Sequence, residues 1–168
     1  METIDQPQRE LVKRPDFLTV LCVLTFLNVA YHFVSGLIAI GSSGTSPEAV
    51  EESREQVENI MAETEDLPEG FSAFFDSAMD SAAASAENAL VLGLGEIVIF
   101  LVIGIGAFLM WRQQKLGFHI YLGANIVWLF FTPSIIGFNI TSILAAGFVF
   151  VFVALFAGLY GANLKHMH

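Results

Sequence analysis

Positive charge, cysteine and catalytic signatures are what this 168-residue chain has least of. Only seven residues are Lys or Arg, against seventeen Asp or Glu, for a formal net charge of −10. A surface of that sign repels phosphodiesters, which excludes nucleic acid as a partner. With one cysteine, Cys22, no disulfide can close within the chain, so a disulfide-stapled secreted domain is excluded. Cys22 lies in an apolar run and reads as a buried, inert thiol; Thr19-Val20-Leu21 before it lacks the small residue that lipid attachment requires. Charged residues make up 14% of the chain, where about 25% is usual in soluble domains, which excludes both disorder and an ordinary water-soluble enzyme. No G-x-x-x-x-G-K-[ST], H-E-x-x-H, G-x-S-x-G or C-x-x-C pattern occurs. The chain therefore reads as non-enzymatic, with no cofactor and no metal.

What is abundant is apolar sequence: 55% of residues are hydrophobic and the mean hydropathy is +0.65. It is gathered into four runs, at 17–40, 89–111, 116–136 and 143–164. Each meets the roughly 20 helical residues that cross a hydrocarbon core. Backbone polar groups in lipid must be satisfied within the chain, and no alternating barrel pattern is present, so these runs are expected to be helices. The first is too long for a signal peptide, whose apolar region is ~7–15 residues, and reads as a retained anchor.

Six of the seven bases, Arg9, Lys13, Arg14, Arg112, Lys115 and Lys165, fall on one side if both termini lie together; only Arg54 falls on the other. The positive-inside tendency then puts both termini in the cytoplasm, with a tail at 1–16 and a C-terminus at 165–168. The excursion at 41–88 is left outside. It carries twelve of the seventeen acids and a single base. Gly41-Ser42-Ser43-Gly44 is a flexible exit; Thr45 or Ser46 caps a first helix, which ends before the turn at Leu67-Pro68-Glu69-Gly70. Phe71, Phe74, Phe75, Ala78, Met79, Ala82, Ala86 and Leu90 then fall on one helical face, with Ser77, Ser81, Asp76, Asp80 and Glu87 mainly on the other. With no breaker before the second run, one continuous helix from Phe71 to Trp111 is expected. The fold class is thus all-α: a polytopic membrane protein, a four-transmembrane-helix bundle with an acidic extracytoplasmic helical hairpin between its first two spans.

Glu96 is the only formal charge well inside a span. A carboxylate at membrane depth costs about 2.5–3.5 kcal/mol on insertion scales, so it needs a partner, water or a proton. His32 sits at a similar depth, roughly 10–12 Å below the outer boundary, with Tyr31, Asn28 and Asn125 as candidate hydrogen-bonding neighbours. This set is either a proton- or ion-responsive site or a polar clamp between helices. Gly93, Gly95, Gly104 and Gly106, and the pairs Ala154/Gly158 and Ala157/Gly161, read as helix-packing positions, within the chain or between copies. The sequon Asn139-Ile140-Thr141 lies too close to the membrane to be modified. Glu63, Glu65 and Asp66, and the terminal His166 and His168, lack the spacing of a metal site. Trp111, Trp128 and Tyr160 read as amphipathic aromatics, with Trp111 at the inner interface.

The stretch from Arg14 to Phe26, Arg-Pro-Asp-Phe-Leu-Thr-Val-Leu-Cys-Val-Leu-Thr-Phe, resembles the opening of small uncharacterised four-span bacterial inner-membrane proteins. That resemblance implies the inner (cytoplasmic) membrane and supplies no site residues. The expected function is a scaffold or subunit that meets a protein partner, or a second copy, through the acidic outer hairpin, with Phe71, Phe74, Phe75 and Met79 as contact residues. The alternative is a small proton- or cation-coupled channel or transporter subunit using Glu96 and His32. A lipid-modifying enzyme is the third class, and no nucleophile supports it.

Overall fold

A computed structural model describes residues 15–42, 47–62 and 70–167. Among these the chain is all-helical: α1 (Asp16–Gly41), α2 (Pro47–Ala62), α3 (Phe71–Glu87), α4 (Ala89–Trp111), α5 (Lys115–Ile136) and α6 (Ile140–Asn163), then a 3₁₀ turn, Leu164–His166. Four of them, α1, α4, α5 and α6, are long and apolar enough to cross a membrane. Arg9, Lys13 and Arg14, the Thr45/Ser46 cap, Glu63, Glu65 and Asp66, the Leu67–Glu69 part of the turn, and His168 lie outside the described residues.

Helix α4 is the centre of the bundle, packed along its length against α1 on one side and α5 on the other. Glycines make this possible. A Cβ at Gly93 would sit 2.7 Å from the Gly36 carbonyl oxygen of α1, and one at Gly36 would sit 2.9 Å from that of Gly93. Toward the other end, a Cβ at Gly106 would meet the Tyr121 nitrogen at 2.8 Å, and one at Gly117 the Met110 nitrogen at 2.6 Å. The two crossings bring backbone onto backbone, which only side-chain-free positions permit. Gly95 lies directly under the Phe131 ring. Around the Gly106/Gly117 crossing a buried core forms from Leu18, Leu21, Cys22, Ile103, Met110 and Tyr160. The Cys22 thiol is buried there, facing the Ala107 carbonyl at 3.7 Å. Tyr160 is fully buried, not interfacial, and its hydroxyl hydrogen-bonds Thr25 Oγ1 at 2.8 Å.

Helix α6 is different. Only 6% of its apolar stretch is buried, against 28% for α4. A Cβ at Gly147, Gly158 or Gly161 would meet nothing within 4 Å. The glycines of the α6 small pairs therefore make no close helix crossing among the described residues, while Gly36, Gly93, Gly106 and Gly117 do.

The expected continuous helix from Phe71 to Trp111 is broken at Asn88, whose φ of −106° and ψ of 16° leave the helical region. Its side-chain amide donates to the Ala84 carbonyl at 2.8 Å, competing for an acceptor that the α3 backbone also uses. The α4–α5 turn closes with Gln113 in the left-handed region, φ 62°. There Gln114 N–H donates to Leu109 O and Gln113 N–H to Met110 O, satisfying the last α4 carbonyls.

Overpacking at a close crossing separates these glycines from those of α6. Gly117→Ala should lower stability in detergent by about 1–3 kcal/mol, the usual range for forced core methylenes. Gly158→Ala should leave the monomer unchanged. Thermal unfolding of the two variants checks both, and equal effects would contradict the crossing geometry.

Candidate functional site

Helices α1 and α4 run antiparallel, so the C-terminal part of α1 faces the N-terminal part of α4. That pairing brings His32 to Glu96: His32 Nδ1 lies 2.6 Å from Glu96 Oε1. Their side chains are 22% and 13% exposed, and the contact sits one helical turn inside the Gly36/Gly93 crossing. Either the ring N–H donates to a carboxylate or a carboxylic O–H donates to the ring; in both cases one proton is shared between two groups removed from bulk water.

The His32 ring is held on its face as well as its edge. Phe100 stacks on it at 3.7 Å between centroids, with planes 15° apart. Trp128 stands edge-on to it at 5.7 Å and to Phe100 at 5.0 Å. The two aromatic rings fix the plane of the imidazole and so the direction in which Nδ1 meets Glu96. Sequence reasoning missed Phe100 and Trp128, although the spacing carries a signal. Phe100 follows Glu96 by four residues on the same face of α4, and Trp128 follows Asn125 by three on α5.

The other expected members divide. Tyr31 touches His32 edge-on at 5.2 Å, but it is 68% exposed and makes no hydrogen bond to the pair. The Asn125 side-chain amide turns back onto its own helix, donating to Tyr121 O at 2.7 Å. Asn28 has no hydrogen bond among the described residues and points into a cavity. The expected network of hydrogen bonds around Glu96 therefore contracts to a single partner, His32. Asn28 and Asn125 border the space beside it.

Two cavities meet at the pair. One, of about 420 Å³, lies among α1, α4, α5 and α6 and is lined by His32. The other, of about 560 Å³, opens at the α3 end of the bundle and is lined by Glu96, with Ser42, Ser85 and Thr132. Trp128 borders both. The hydrogen-bonded pair and the indole thus lie at the boundary of the two cavities, called below the vestibule and the chamber.

Helix α3 lies over the end of the bundle beside α5 and α6 and turns its serine face toward them. Ser77 and Ser81 are buried, while Phe71 and Phe74 are 40% and 43% exposed; Phe75 and Met79 are half-buried. The serines meet the start of α6: Thr141 N–H donates to Ser77 Oγ at 3.1 Å, and Asn139 Nδ2 to Ser81 Oγ at 2.8 Å. Asn139 also caps α6 through Ser142, so its amide is engaged at both ends. The unsatisfied N–H groups of a helix start attract hydroxyl oxygens, and here that demand outweighs apolar periodicity. On the outer side, Arg54 of α2 reaches Asp76 at 3.6 Å and Asp80 at 3.3 Å on α3. Its pKa is raised above the usual value, first by the hydrogen bond to Glu58 and then by the charges of Asp80, Glu51 and Glu58, against opposing desolvation.

Compared with known protein families, with curated proteins and with solved structures, the chain matches none.

A double-mutant cycle measures what the pair contributes. His32→Leu and Glu96→Leu should each destabilise the bundle, with a coupling of about 0.6–1.7 kcal/mol, the range for interhelical polar contacts in a membrane. The double variant should recover much of that loss, because no polar group is left without its partner. Additive losses in chemical unfolding would show that the contact carries no coupling energy.

Proposed function

We propose that this chain is a non-enzymatic integral protein of a bacterial inner membrane, with both termini in the cytoplasm. It acts as a scaffold or subunit, associating with another membrane or periplasmic protein through an acidic helical hairpin made by α2 and α3. The observation that carries this reading is the orientation of α3. Ser77 and Ser81 turn toward the bundle, and Phe71 and Phe74 stay exposed on a helix outside the four apolar spans. Exposed aromatics beside carboxylates suit a partner surface that is apolar at its centre and basic at its rim. Arg54 supports the hairpin by tying α2 to the acidic side of α3. The positive-inside bias supports its extracytoplasmic placement.

The place of the pair at the boundary of the two cavities favours a second reading, a proton- or cation-coupled subunit in which Glu96 and His32 exchange a proton between vestibule and chamber. Four spans are few for a pathway of their own, so this reading also requires association.

Phe71→Ser with Phe74→Ser should remove a partner that co-purifies with the full chain from native membranes, leaving yield and thermal unfolding unchanged. An unchanged set of co-purifying proteins would contradict the association reading. Glu96→Gln should abolish any proton flux of the reconstituted protein between pH 5 and 8; flux that persists in the variant would overturn the second reading.

A further inference from the structure

The inner chamber has two unlike walls. One is α6, which presents Phe148, Phe152 and Phe156 at successive turns and contributes no polar side chain. The opposite wall is polar. Thr25, Asn28 and His32 descend one stripe of α1, and Tyr121, Asn125 and Trp128 one stripe of α5. Within this wall Thr25 is occupied by Tyr160, and His32 by Glu96. The Asn28 amide, the Tyr121 hydroxyl and the Trp128 indole N–H have no hydrogen-bond partner among the described residues. Asn28 is an exposed residue at the edge of the chamber, and the Tyr121 hydroxyl and Trp128 indole N–H, on residues that line it, are not sealed in the protein interior. At hydrocarbon depth an unanswered amide or phenol is costly.

The chemistry of the occupant follows. Asn28, Tyr121 and Trp128 all offer N–H or O–H donors, so they fit an acceptor oxygen. The lining has no Lys or Arg, and the one base, His32, is already held by Glu96. A phosphate or carboxylate head would be left without a counter-charge, so the head is uncharged. The aromatic α6 wall fits an apolar ring or chain, and about 420 Å³ is enough for a small amphiphile. Helix α6 touches α1 far less than α4 touches its neighbours, which leaves that side as the route from the bilayer. We propose that the chamber binds an uncharged, carbonyl-bearing amphiphile taken from the membrane, its carbonyl oxygens accepting from donors among Asn28, Tyr121 and Trp128 and its apolar part lying on α6. This site is independent of the α2–α3 association surface.

The chain has two tryptophans, Trp111 and Trp128, so Trp111→Phe leaves Trp128 as the sole reporter in the chamber. In detergent-solubilised full chain carrying that substitution, a short-chain benzoquinone and a diacylglycerol with brominated chains are titrated separately. Both quench a nearby indole, and the two arms distinguish a quinone from a glyceride as the source of the carbonyl. Saturable quenching by either probe is expected. Asn28→Leu should weaken it about five- to tenfold, as for one hydrogen bond in an apolar site. The same substitution should not lower the melting temperature, because Asn28 makes no hydrogen bond among the described residues. A merely structural Asn28 would show the opposite pattern. Tyr121→Phe gives an independent readout of the same loss. Quenching that is non-saturable for both neutral probes, or unaltered by Asn28→Leu and Tyr121→Phe, would overturn the proposal. So would brominated phosphatidylglycerol binding as tightly as the neutral probes.

Discussion

Where α4 crosses α1 and α5, the helices meet with only hydrogen atoms between their backbones. Gly36 and Gly93 make one crossing, Gly106 and Gly117 the other, and any Cβ at these positions would land within 3 Å of a neighbour's carbonyl or amide. Apolar side chains do not distinguish a helix from lipid in a bilayer, so close packing has to supply the attraction. The two crossings fix α1, α4 and α5 as a three-helix unit and set their register. His32 meets Glu96 because the Gly36/Gly93 crossing lies one turn away on both helices. The site is a consequence of the packing, and its geometry is no looser than the crossing that holds it.

Helix α6 has no part in those crossings, and the chamber exists for that reason. Its glycines approach nothing, and its phenylalanines stand off from α1 where a Gly-to-Gly contact would have closed the gap. The end of α6 nearest α3 is nevertheless anchored, through Ser77, Ser81, Asn139 and Thr141. At its opposite end Tyr160 reaches Thr25. A helix tied at both ends and loose at its middle encloses space instead of filling it. Polar residues of α1 and α5 that would be costly against lipid are tolerable along such a space.

The four apolar helices were legible in the sequence because length and hydropathy alone specify them, whatever they pack against. The Glu96–His32 contact was legible too, since equal depth below one boundary places residues of antiparallel helices side by side. What was not legible depends on neighbours. Apolar periodicity separated Phe71 and Phe74 from Ser77 and Ser81 but did not say which face of α3 meets the bundle; the start of α6 needs hydroxyl oxygens, and Ser77 and Ser81 answer that need. Asn88 breaks the long helix through one side-chain amide, which no breaker count registers. Phe100 and Trp128 were passed over because an aromatic in an apolar run looks like ordinary packing until a titratable ring is found against it. Gly36 and Gly117 carry no flanking small-residue pattern and become visible only with the partner helix beside them.

Whether the ion pair is only a fastener is settled best by asking what it would add as one. Burying Glu96 at its depth is unfavourable by about 2.5–3.5 kcal/mol on insertion scales, whereas an interhelical polar contact in a membrane contributes about 0.6 kcal/mol on average. The α1–α4 crossing is already held by Gly36 and Gly93 a turn away, so a fastener there is redundant. Two leucines at 32 and 96 would join the same helices without a charge to neutralise. The pair makes physical sense when its other surroundings are counted. His32 lines the chamber, Glu96 lines the vestibule, and Phe100 and Trp128 hold the imidazole ring in place. A contact whose two side chains line different cavities places a hydrogen-bonded polar group at the edge of both spaces, which no apolar pair could do.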